Sequence, residues 1–290
     1  MVSNNFSVSV VIPTYNAGDD LRLLLDKLLV QDYPIDKVFI IDSSSSDSTS
    51  IVASSYNEIE LITIPKCKFN HGRTRHMGFN LCDSDIVVFL TQDAIPVDNQ
   101  LIKKLVSPFK DDNIALSYGR QLPKDNARPF EVLVRNYSYP SLSETRSLED
   151  VARLGIKAYR SSDVCAAYRS EAYYKCGGFI KCETNEDMFM AAQFINTGYA
   201  VSYTADAVVY HSHNLTLKQQ YRRNYYIGRE LEKNKELLCG ASDISEGKKI
   251  FKYVVSGLLN ERNFSEVFSF FCDCSARYIG NKIGRNSVKK

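Results

Sequence analysis

Short apolar runs alternate with helical patterns through the first hundred residues, and this alternation constrains the fold more than any other feature of the sequence. The runs that predict strands are residues 7–12, 38–41, 59–64 and 86–90. Leucines at 21, 24, 25, 28 and 29 share one face of a helix, and further helices are predicted from about Ser48 and over 74–81. Nearly continuous apolar strands are typical of a parallel sheet covered on both faces. The pattern therefore predicts a βαβαβαβ unit with right-handed crossovers.

The regularity fades from Ile114 onward. The remaining predicted strands are residues 114–118, 164–168, 200–204 and 207–210. A polar stretch with three prolines separates the first two of these strands, and it predicts an elaboration within the same domain. Helices are predicted from about Glu186 to Gly198 and over 216–237.

Residues 248–290 form a basic tail with apolar clusters. The tail carries nine basic and three acidic residues, whereas the whole chain has a net charge of only +2. Its apolar residues keep helical spacing, a pattern typical of helices that lie in a membrane interface. A helix packed on the rest of the chain or on a second copy of it explains the same pattern, and the sequence leaves these interpretations open.

Composition and missing motifs exclude several classes of protein. A chain of 290 residues with 44% hydrophobic content is globular, and its balanced charge argues against a nucleic-acid partner. The eight cysteines form no CxxC pair and follow no secretory leader, so we expect reduced cytosolic thiols. No apolar run approaches the roughly 20 residues that span a bilayer. GxGxxG, GxxxxGK[ST], GxSxG and HExxH are all absent, which disfavours dinucleotide oxidoreductases, P-loop enzymes, common serine hydrolases and zincins.

Polar residues follow the predicted parallel strands, where ligands of open α/β sheets bind. They are Thr14, Tyr15 and Asn16 after the first strand, Asp42 and a serine run after the second, and Gln92 and Asp93 after the fourth. A Glu186-Asp187 pair and a His-Ser-His sequence at 211–213 lie further along the chain. Aspartates at strand ends combined with these groups suit a divalent cation and a diphosphate.

In these motifs the chain resembles the family 2 glycosyltransferases, and among them the bacterial rhamnosyltransferases. The matching segments are VVIPTYN at 10–16, IIDS at 40–43, FNHGRTR at 69–75, LTQDA at 90–94, NED at 185–187 and YHSH at 210–213. The resemblance covers roughly residues 6–235. It implies a GT-A fold, which is an α/β, Rossmann-like, mostly parallel sheet flanked by helices, here with a C-terminal helical extension. It also implies an inverting sugar transfer that depends on Mg²⁺ or Mn²⁺.

The resemblance further implies roles for individual residues. Asp187 would be the general base and Glu186 would position it or the acceptor, while Asp93 with His211 or His213 would hold the cation. The residues implied in nucleotide-sugar binding are Pro13, Thr14, Tyr15, Asn16, Asp42, Ser43, His71, Gly72, Arg75, Thr91, Gln92 and Asp93. Two positions depart from the family pattern, because Thr91 replaces the first aspartate of the DxD motif and Ser43 stands where many members have a second aspartate.

Simpler interpretations of the same residues stay open at this point. Asp93 suits a turn before Pro96, and each histidine suits a hydrogen bond at a strand end. Glu186 and Asp187 suit capping of a helix start. For Tyr15 and Arg75 the alternatives are packing and a surface ion pair, and Gly72 is expected to supply a turn with positive φ.

The resemblance implies dTDP-L-rhamnose as donor and a lipid-linked bacterial glycan as acceptor, at the cytoplasmic face of the plasma membrane. We expect residues 1–240 to form the GT-A domain, with a nucleotide-binding half to about 120 and an acceptor-binding half beyond it. Residues 241–290 are expected to contact the membrane surface or a second copy of the chain. The rival interpretations are another UDP- or dTDP-sugar donor, a non-catalytic nucleotide-sugar-binding protein, and a phosphohydrolase with two metal ions.

Overall fold

One curled, mostly parallel sheet with helices on both faces organises the chain. The structure is a computed structural model that describes residues 6–239 and 244–289. The strands are β1 (Val8–Thr14), β2 (Lys37–Asp42), β3 (Ile59–Thr63), β4 (Ile86–Leu90), β5 (Ile95–Pro96), β6 (Ile114–Leu122), β7 (Glu144–Arg146), β8 (Cys165–Arg169) and β9 (Ala200–Tyr210). The helices are α1 (Gly18–Leu28), α2 (Thr49–Ser54), α3 (His71–Phe79), α4 (Leu101–Val106), α5 (Pro129–Ser138), α6 (Val151–Leu154), α7 (Ser170–Lys175), α8 (Glu186–Asn196), α9 (Leu217–Lys233), α10 (Ile244–Asn260) and α11 (Phe264–Val288).

The first four strands confirm the predicted parallel unit. They lie in the order β3-β2-β1-β4, and each neighbouring pair is parallel. The leucines of α1 at 21, 24, 25 and 28 are fully buried and pack against alternate residues of β1 and β4. Side chains that point to the other face of the same strands pack against α3 and α8. Coverage on both faces explains why these strands are nearly continuous apolar runs.

An antiparallel strand joins the two halves of the sheet. β8 pairs antiparallel with β4 on one side and with β6 on the other, so that β6 and β9 again run in the direction of β1. The mostly parallel α/β sheet is therefore confirmed. Because β8 runs backwards, its first residue, Cys165, lies beside Leu90 at the end of β4. The segment that precedes β8 thus reaches the same sheet edge as the carboxyl ends of the parallel strands.

Two predicted strands, 200–204 and 207–210, prove to be the single strand β9. The register with β6 slips between Gly119 and Arg120, which pair with Thr204 and Val208, so β9 bulges between its two apolar runs. Gly119 allows this bulge, because a Cβ there would lie 2.6 Å from the carbonyl oxygen of Ala207. The prediction of two strands was wrong because a bulge interrupts the alternation without ending the strand.

Two further elements differ from the prediction. Helix α3 begins at His71 and not at Thr74, because Asn70 caps it by accepting a hydrogen bond from the backbone N–H of Arg73 at 3.1 Å. The polar stretch after β6 contains helix α5, which begins at Pro129. A proline at the first helical position costs no hydrogen bond, so the prolines of this stretch did not exclude a helix.

The C-terminal helices pack on the rest of the chain. α11 lies along α9 at close range, because a Cβ at Gly284 would lie 2.0 Å from the carbonyl oxygen of Tyr225. α10 packs on α5 in a small apolar cluster of its own. Among the described helices, none combines the length and hydropathy that crossing a bilayer requires. The predicted domain boundary at 240–241 lies outside the described residues, and the division of the chain into two domains stays a prediction.

Candidate functional site

Three side chains that can bind a metal ion converge at the carboxyl ends of β4 and β9. Asp93 follows β4, and His211 and His213 follow β9, where alternation along the chain directs both imidazoles to Asp93. His211 Nε2 lies 3.5 Å from Asp93 Oδ1, and His213 Nε2 lies 3.7 Å from Asp93 Oδ2. It is the one such group of three in the part of the chain that the structure describes. The spacing and the donor types fit a single divalent cation.

Burial sets the protonation state that metal binding requires. It lowers the pKa of the His211 imidazole well below its ordinary value, and the cations Arg135 and Lys124 add to the effect. Burial also lowers the pKa of His213, although Asp93 opposes the change. Both imidazoles are then neutral at neutral pH, the form that binds a metal. His211 Nδ1 lies 3.1 Å from Gln121 Oε1, and a proton donated there leaves Nε2 free to face Asp93.

A buried ion-pair cluster forms the floor of the site. The guanidinium of Arg75 lies 2.8 Å from Glu186 Oε1 through NH1 and 3.0 Å from Asp163 Oδ2 through Nε. All three side chains are almost fully buried, so Arg75 belongs to an interior ion pair and not to the surface pair considered above. Tyr168 donates a hydrogen bond to the other oxygen of Asp163. Burial would raise the pKa of Glu186, but Arg75 and His71 outweigh it and lower the pKa to about 2.

Asp187 lies next to this cluster with different electrostatics. Its carboxyl accepts hydrogen bonds from the backbone N–H groups of Met188 at 2.7 Å and Asp163 at 3.3 Å. Burial and the charge of Glu186 nevertheless raise the pKa of Asp187 to about 6. The pKa values of the two carboxyls at the start of α8 are thus shifted in opposite directions. Glu186 is a permanent anion, whereas Asp187 can exchange a proton near neutral pH.

Asp187 and the metal-binding group share one cavity. This central cavity of about 420 Å³ is lined by Asp187, Asp163, Thr91, His71, His211 and His213 with their neighbours. Asp93 is not among the lining residues, but its carboxylate lies 3.5 Å from His211 and 3.7 Å from His213. A base and a cation site can therefore act on one bound molecule. The structure brings together the residues that the sequence assigned to these two roles.

A second cavity lies at the ends of β1, β2 and β4. This strand-end cavity of about 350 Å³ is lined by Pro13, Thr14, Tyr15, Ser43, Lys66, Phe69, His71, Arg75, Thr91 and Gln92. The hydroxyls of Ser43 and Thr91 are buried there without a hydrogen-bond partner. A bound ligand or a water molecule can satisfy buried hydroxyls of this kind. His71, Arg75 and Thr91 line both this cavity and the central one, so the two adjoin.

Two predicted binding residues, Asp42 and Asn16, stabilise a loop near the site and do not line its cavities. Asp42 is fully buried and accepts hydrogen bonds from Thr14 at 3.1 Å and from the backbone N–H of Ser45 at 2.9 Å. Asn16 accepts a hydrogen bond from the backbone N–H of Ser46 at 2.9 Å. Neither residue lines the strand-end or the central cavity. Their contact with a nucleotide stays a prediction, and the observed role of both is to fix the loop after β2.

The expectation for Gly72 was wrong in its physical reason. Gly72 is part of helix α3 and has no positive φ. A glycine is needed there because a Cβ would lie 2.0 Å from the carbonyl oxygen of Ile180, so the start of α3 touches the segment before α8. This close approach brings His71 within 3.6 Å of Glu186.

Several residues at the site were not identified as site residues by the sequence analysis. Asp163 and Gln121 are reached only through long-range pairing of β8 and β6, which no local pattern reveals. Lys66 lies over the ring of Tyr15, with Nζ 4.1 Å from the ring centre. Arg223 on α9 lines the central cavity, yet its place in an amphipathic helix is typical of any exposed arginine. Phe69, beside Lys66 in the strand-end cavity, was part of a quoted motif but was given no role.

Comparisons with known proteins agree with this geometry. The sequence profile described as glycosyl transferase family 2 matches residues 9–177. The O-antigen chain rhamnosyltransferase RfbN of Salmonella typhimurium is 43% identical over 223 residues, which are 76% of this chain and 71% of that protein. WbaN of Salmonella anatum, also an O-antigen chain rhamnosyltransferase, is 40% identical over 225 residues, 77% of this chain and 71% of that protein.

Solved structures of glycosyltransferases share the fold. The mannosyltransferase PcManGT of Pyrobaculum calidifontis, in complex with GDP-Man and Mn²⁺, has a TM-score of 0.64 at 16% identity and covers 99% of this chain and 87% of its own. Residues 1–349 of TarS from S. aureus, in complex with UDP-GlcNAc, have a TM-score of 0.61 at 13% identity and cover 98% of this chain and 91% of their own. At this identity the likeness establishes the GT-A fold alone, as the sequence predicts.

Replacing Arg75 by methionine tests the buried cluster. Loss of the guanidinium leaves Glu186 and Asp163 unpaired, so we expect the free energy of unfolding to fall by about 3–5 kcal/mol at pH 7. The deficit should shrink as the pH is lowered toward 4. Because the pKa of Glu186 is low in the folded wild type, its ionised carboxylate stabilises the wild type above the ordinary glutamate pKa, and this contribution is lost as the pH falls. In the variant, protonation of the unpaired carboxylates at lower pH removes their unfavourable buried charge.

Urea unfolding at several pH values measures the effect of Arg75→Met. The matched control is Arg73→Met, an exposed arginine on the same helix, which should leave stability nearly unchanged. Equal losses in the two variants, or a deficit for Arg75→Met that does not change with pH, would contradict the assignment.

Proposed function

Because this chain belongs to glycosyl transferase family 2, we propose that it is an inverting rhamnosyltransferase that moves L-rhamnose from dTDP-L-rhamnose to a hydroxyl of a lipid-linked bacterial surface glycan. Identity of 40–43% to two O-antigen chain rhamnosyltransferases supports the sugar and the acceptor class. The observation that carries the proposal is the single cavity shared by Asp187 and the two histidines that contact Asp93.

The strand-end cavity suits the nucleoside of the donor. It combines an aromatic side, from Tyr15 and Phe69, with the unpartnered hydroxyls of Ser43 and Thr91. A flat base needs apolar surface and a few directional hydrogen bonds, and these walls offer both. The diphosphate would then reach the central cavity past Thr91, toward Asp93. Arg75 lines this route, but its guanidinium is already paired with Glu186 and Asp163.

Asp93, His211 and His213 would hold Mg²⁺ or Mn²⁺. Such a cation supplies neutralisation of the charge that develops on the departing diphosphate. The one carboxylate and two neutral imidazoles give the protein little charge of its own at this position, so we expect weak metal affinity without the nucleotide. Lys124, whose Nζ lies 3.6 Å from Asp93 Oδ2, adds a fixed positive charge beside the site.

Asp187 is proposed as the general base. Its carboxylate would accept the proton of the acceptor hydroxyl while that oxygen attacks the anomeric carbon from the face opposite the diphosphate. A pKa of about 6 leaves most of the carboxyl ionised at neutral pH while keeping it a stronger base than an ordinary aspartate. Glu186, held by Arg75, positions the helix start that carries Asp187.

The donor and the cation can be tested together by ligand-induced stabilisation. We expect dTDP with Mn²⁺ to raise the Tm more than UDP or GDP does, since a ligand at 100 times its Kd contributes about 2.7 kcal/mol. Asp93→Asn should remove the metal-dependent part of the shift and keep the metal-free part. Asp112→Asn, which alters an almost fully exposed side chain, is the control. A larger shift with UDP or GDP would indicate a donor with that nucleotide instead of dTDP. If the metal has no effect on the Tm of the wild type, the cation site is excluded.

The role of Asp187 predicts a specific pH dependence. Activity requires the ionised form, so kcat/KM for rhamnosyl transfer should fall about tenfold per pH unit below pH 6. Asp187→Asn should lower kcat by about 10²–10⁴-fold and abolish this acidic limb. The control is Asp206→Asn, an exposed aspartate on β9. Activity within tenfold of the wild type, or an unchanged acidic limb, would refute the assignment.

We also propose that the C-terminal helices place the enzyme at the inner face of the plasma membrane. Phe264, Phe268, Phe271 and Tyr278 recur at helical spacing along α11 and are each between 58% and 71% exposed. The opposite side of α11, with Gly280 and Gly284, packs on α9. An exposed aromatic stripe within a basic tail suits the interface of an anionic bilayer.

Sedimentation with anionic lipid vesicles tests this placement. We expect the double change Phe268→Ser and Phe271→Ser to lower the bound fraction about tenfold, because each ring contributes part of the roughly 1.5–3 kcal/mol of a fully buried side chain. Leu142→Ser removes an equally exposed apolar residue outside the tail and should have no effect. Unchanged vesicle binding, with a halved mass in solution, would instead make the stripe a contact between two copies of the chain.

A further inference from the structure

Four arginines line a third cavity that the proposed reaction does not yet use. This arginine cavity of about 220 Å³ lies where α5, α9 and α11 meet, and its cations are Arg135, Arg160, Arg223 and Arg277. It adjoins the central cavity, since His213 and Arg223 line both. The strand-end cavity shares none of its residues with the arginine cavity.

The positive charge of this cavity is only partly compensated. Glu131 is the one carboxylate among the lining residues, and its Oε1 lies 3.3 Å from Arg135 Nε. Arg277 is held by Asp273 at 2.6 Å, outside the lining, and its guanidinium lies 4.0 Å from the other oxygen of Glu131. Arg160 stacks over the ring of Tyr139, with its guanidinium carbon 4.9 Å from the ring centre.

Arg223 is the arginine of this cavity that has no direct partner among the described residues. Within residues 6–239 and 244–289, no carboxylate forms an ion pair with it and no hydrogen bond reaches its guanidinium. Its side chain is exposed, and the charges of Arg277 and Arg135 act on it against those of Glu131 and Asp187. Arg223 is therefore free to contact an anion that enters the cavity, and such an anion would offset the repulsion among the guanidinium groups.

We propose that the arginine cavity binds the diphosphate that joins the acceptor glycan to its lipid, an inference that rests on the proposed function. Guanidinium groups recognise phosphate oxygens in bidentate geometry, and several of them around one cavity suit a group with more than one negative charge. The donor's own diphosphate is the less suitable occupant, because the strand-end cavity shares no lining residue with the arginine cavity and Asp93 does not line the arginine cavity.

The position of α11 supports a lipid-linked anion. Arg277 comes from this helix and is followed directly by Tyr278, which belongs to the exposed aromatic stripe. Arg277 shares the buried side of α11 with Asp273, Gly280 and Gly284, so a phosphate that it holds would lie about one helix diameter, ~10 Å, from the stripe. A lipid chain attached to this phosphate would pass around α11 to the stripe, while the glycan extends past His213 into the central cavity.

Binding experiments without donor or metal test the cavity directly. The probes are a short isoprenyl diphosphate, the matching isoprenyl alcohol and inorganic diphosphate, titrated calorimetrically into the full chain. We expect the isoprenyl diphosphate to bind best and Arg160→Gln to weaken it about tenfold or more. Arg160→Lys should restore part of the affinity, and Arg222→Gln, an exposed arginine on α9 outside the cavity, should change nothing. Equal Tm values of the variants establish that they fold.

Kinetics then separate the acceptor from the donor. With one oligosaccharide carried either on an isoprenyl diphosphate or on an uncharged alkyl chain, Arg160→Gln should raise the acceptor KM about tenfold or more for the first acceptor only. The donor KM and the slow donor hydrolysis without acceptor should not change. A higher donor KM, an equal loss with both acceptors, or equal binding of inorganic and isoprenyl diphosphate would each overturn the proposal.

The binding and the kinetic experiments fail in different ways. An incorrect proposed function would abolish donor turnover in the wild type while leaving the binding of the isoprenyl diphosphate intact. An incorrect assignment of the cavity would leave rhamnosyl transfer intact while Arg160→Gln binds the isoprenyl diphosphate as tightly as the wild type does.

Discussion

The buried guanidinium of Arg75 connects the parts of the chain that carry the chemistry. Arg75 belongs to α3, which lies between two strands of the parallel unit in the sequence. Its guanidinium pairs with Asp163 before β8 and with Glu186 at the start of α8. One cation cannot neutralise three neighbouring carboxyls in a dry interior. Arg75 holds the pKa of Glu186 low, while burial raises the pKa of Asp163, and burial with the charge of Glu186 raises that of Asp187 to about 6. The same ion pair therefore positions the two halves and adjusts the proposed base.

Much of the sheet edge could be predicted from the sequence because it depends on local pattern. Buried parallel strands are continuous apolar runs, and their carboxyl ends must meet at one edge, so Thr14, Gln92 and Asp93 could be placed together in advance. Alternation after β9 likewise predicted that His211 and His213 share a side. These inferences hold because each uses only the period of one strand and the topology of parallel sheets.

The partners of these residues could not be predicted, because they depend on contacts between distant segments. Asp163 reaches the edge only because β8 is antiparallel, and an antiparallel insertion leaves no mark in the apolar run itself. The sequence identified Arg75 by resemblance but could not show that it is buried. The same limit applies to the tail. Its sequence predicts helices from the spacing of apolar residues, but it does not reveal the close contact of Gly284 with α9.

In the proposed arrangement, the order of the three cavities determines how the charges of two substrates are separated. The donor's nucleoside occupies the strand-end cavity, its diphosphate lies beside Asp93, and the acceptor's diphosphate lies among the arginines beyond His213. Asp187 in the central cavity would then stand between two anions. Without the cation on one side and the guanidinium groups on the other, both anions would raise its pKa further. In this arrangement the cation and the guanidinium groups would offset the charges of the two anions and oppose that rise.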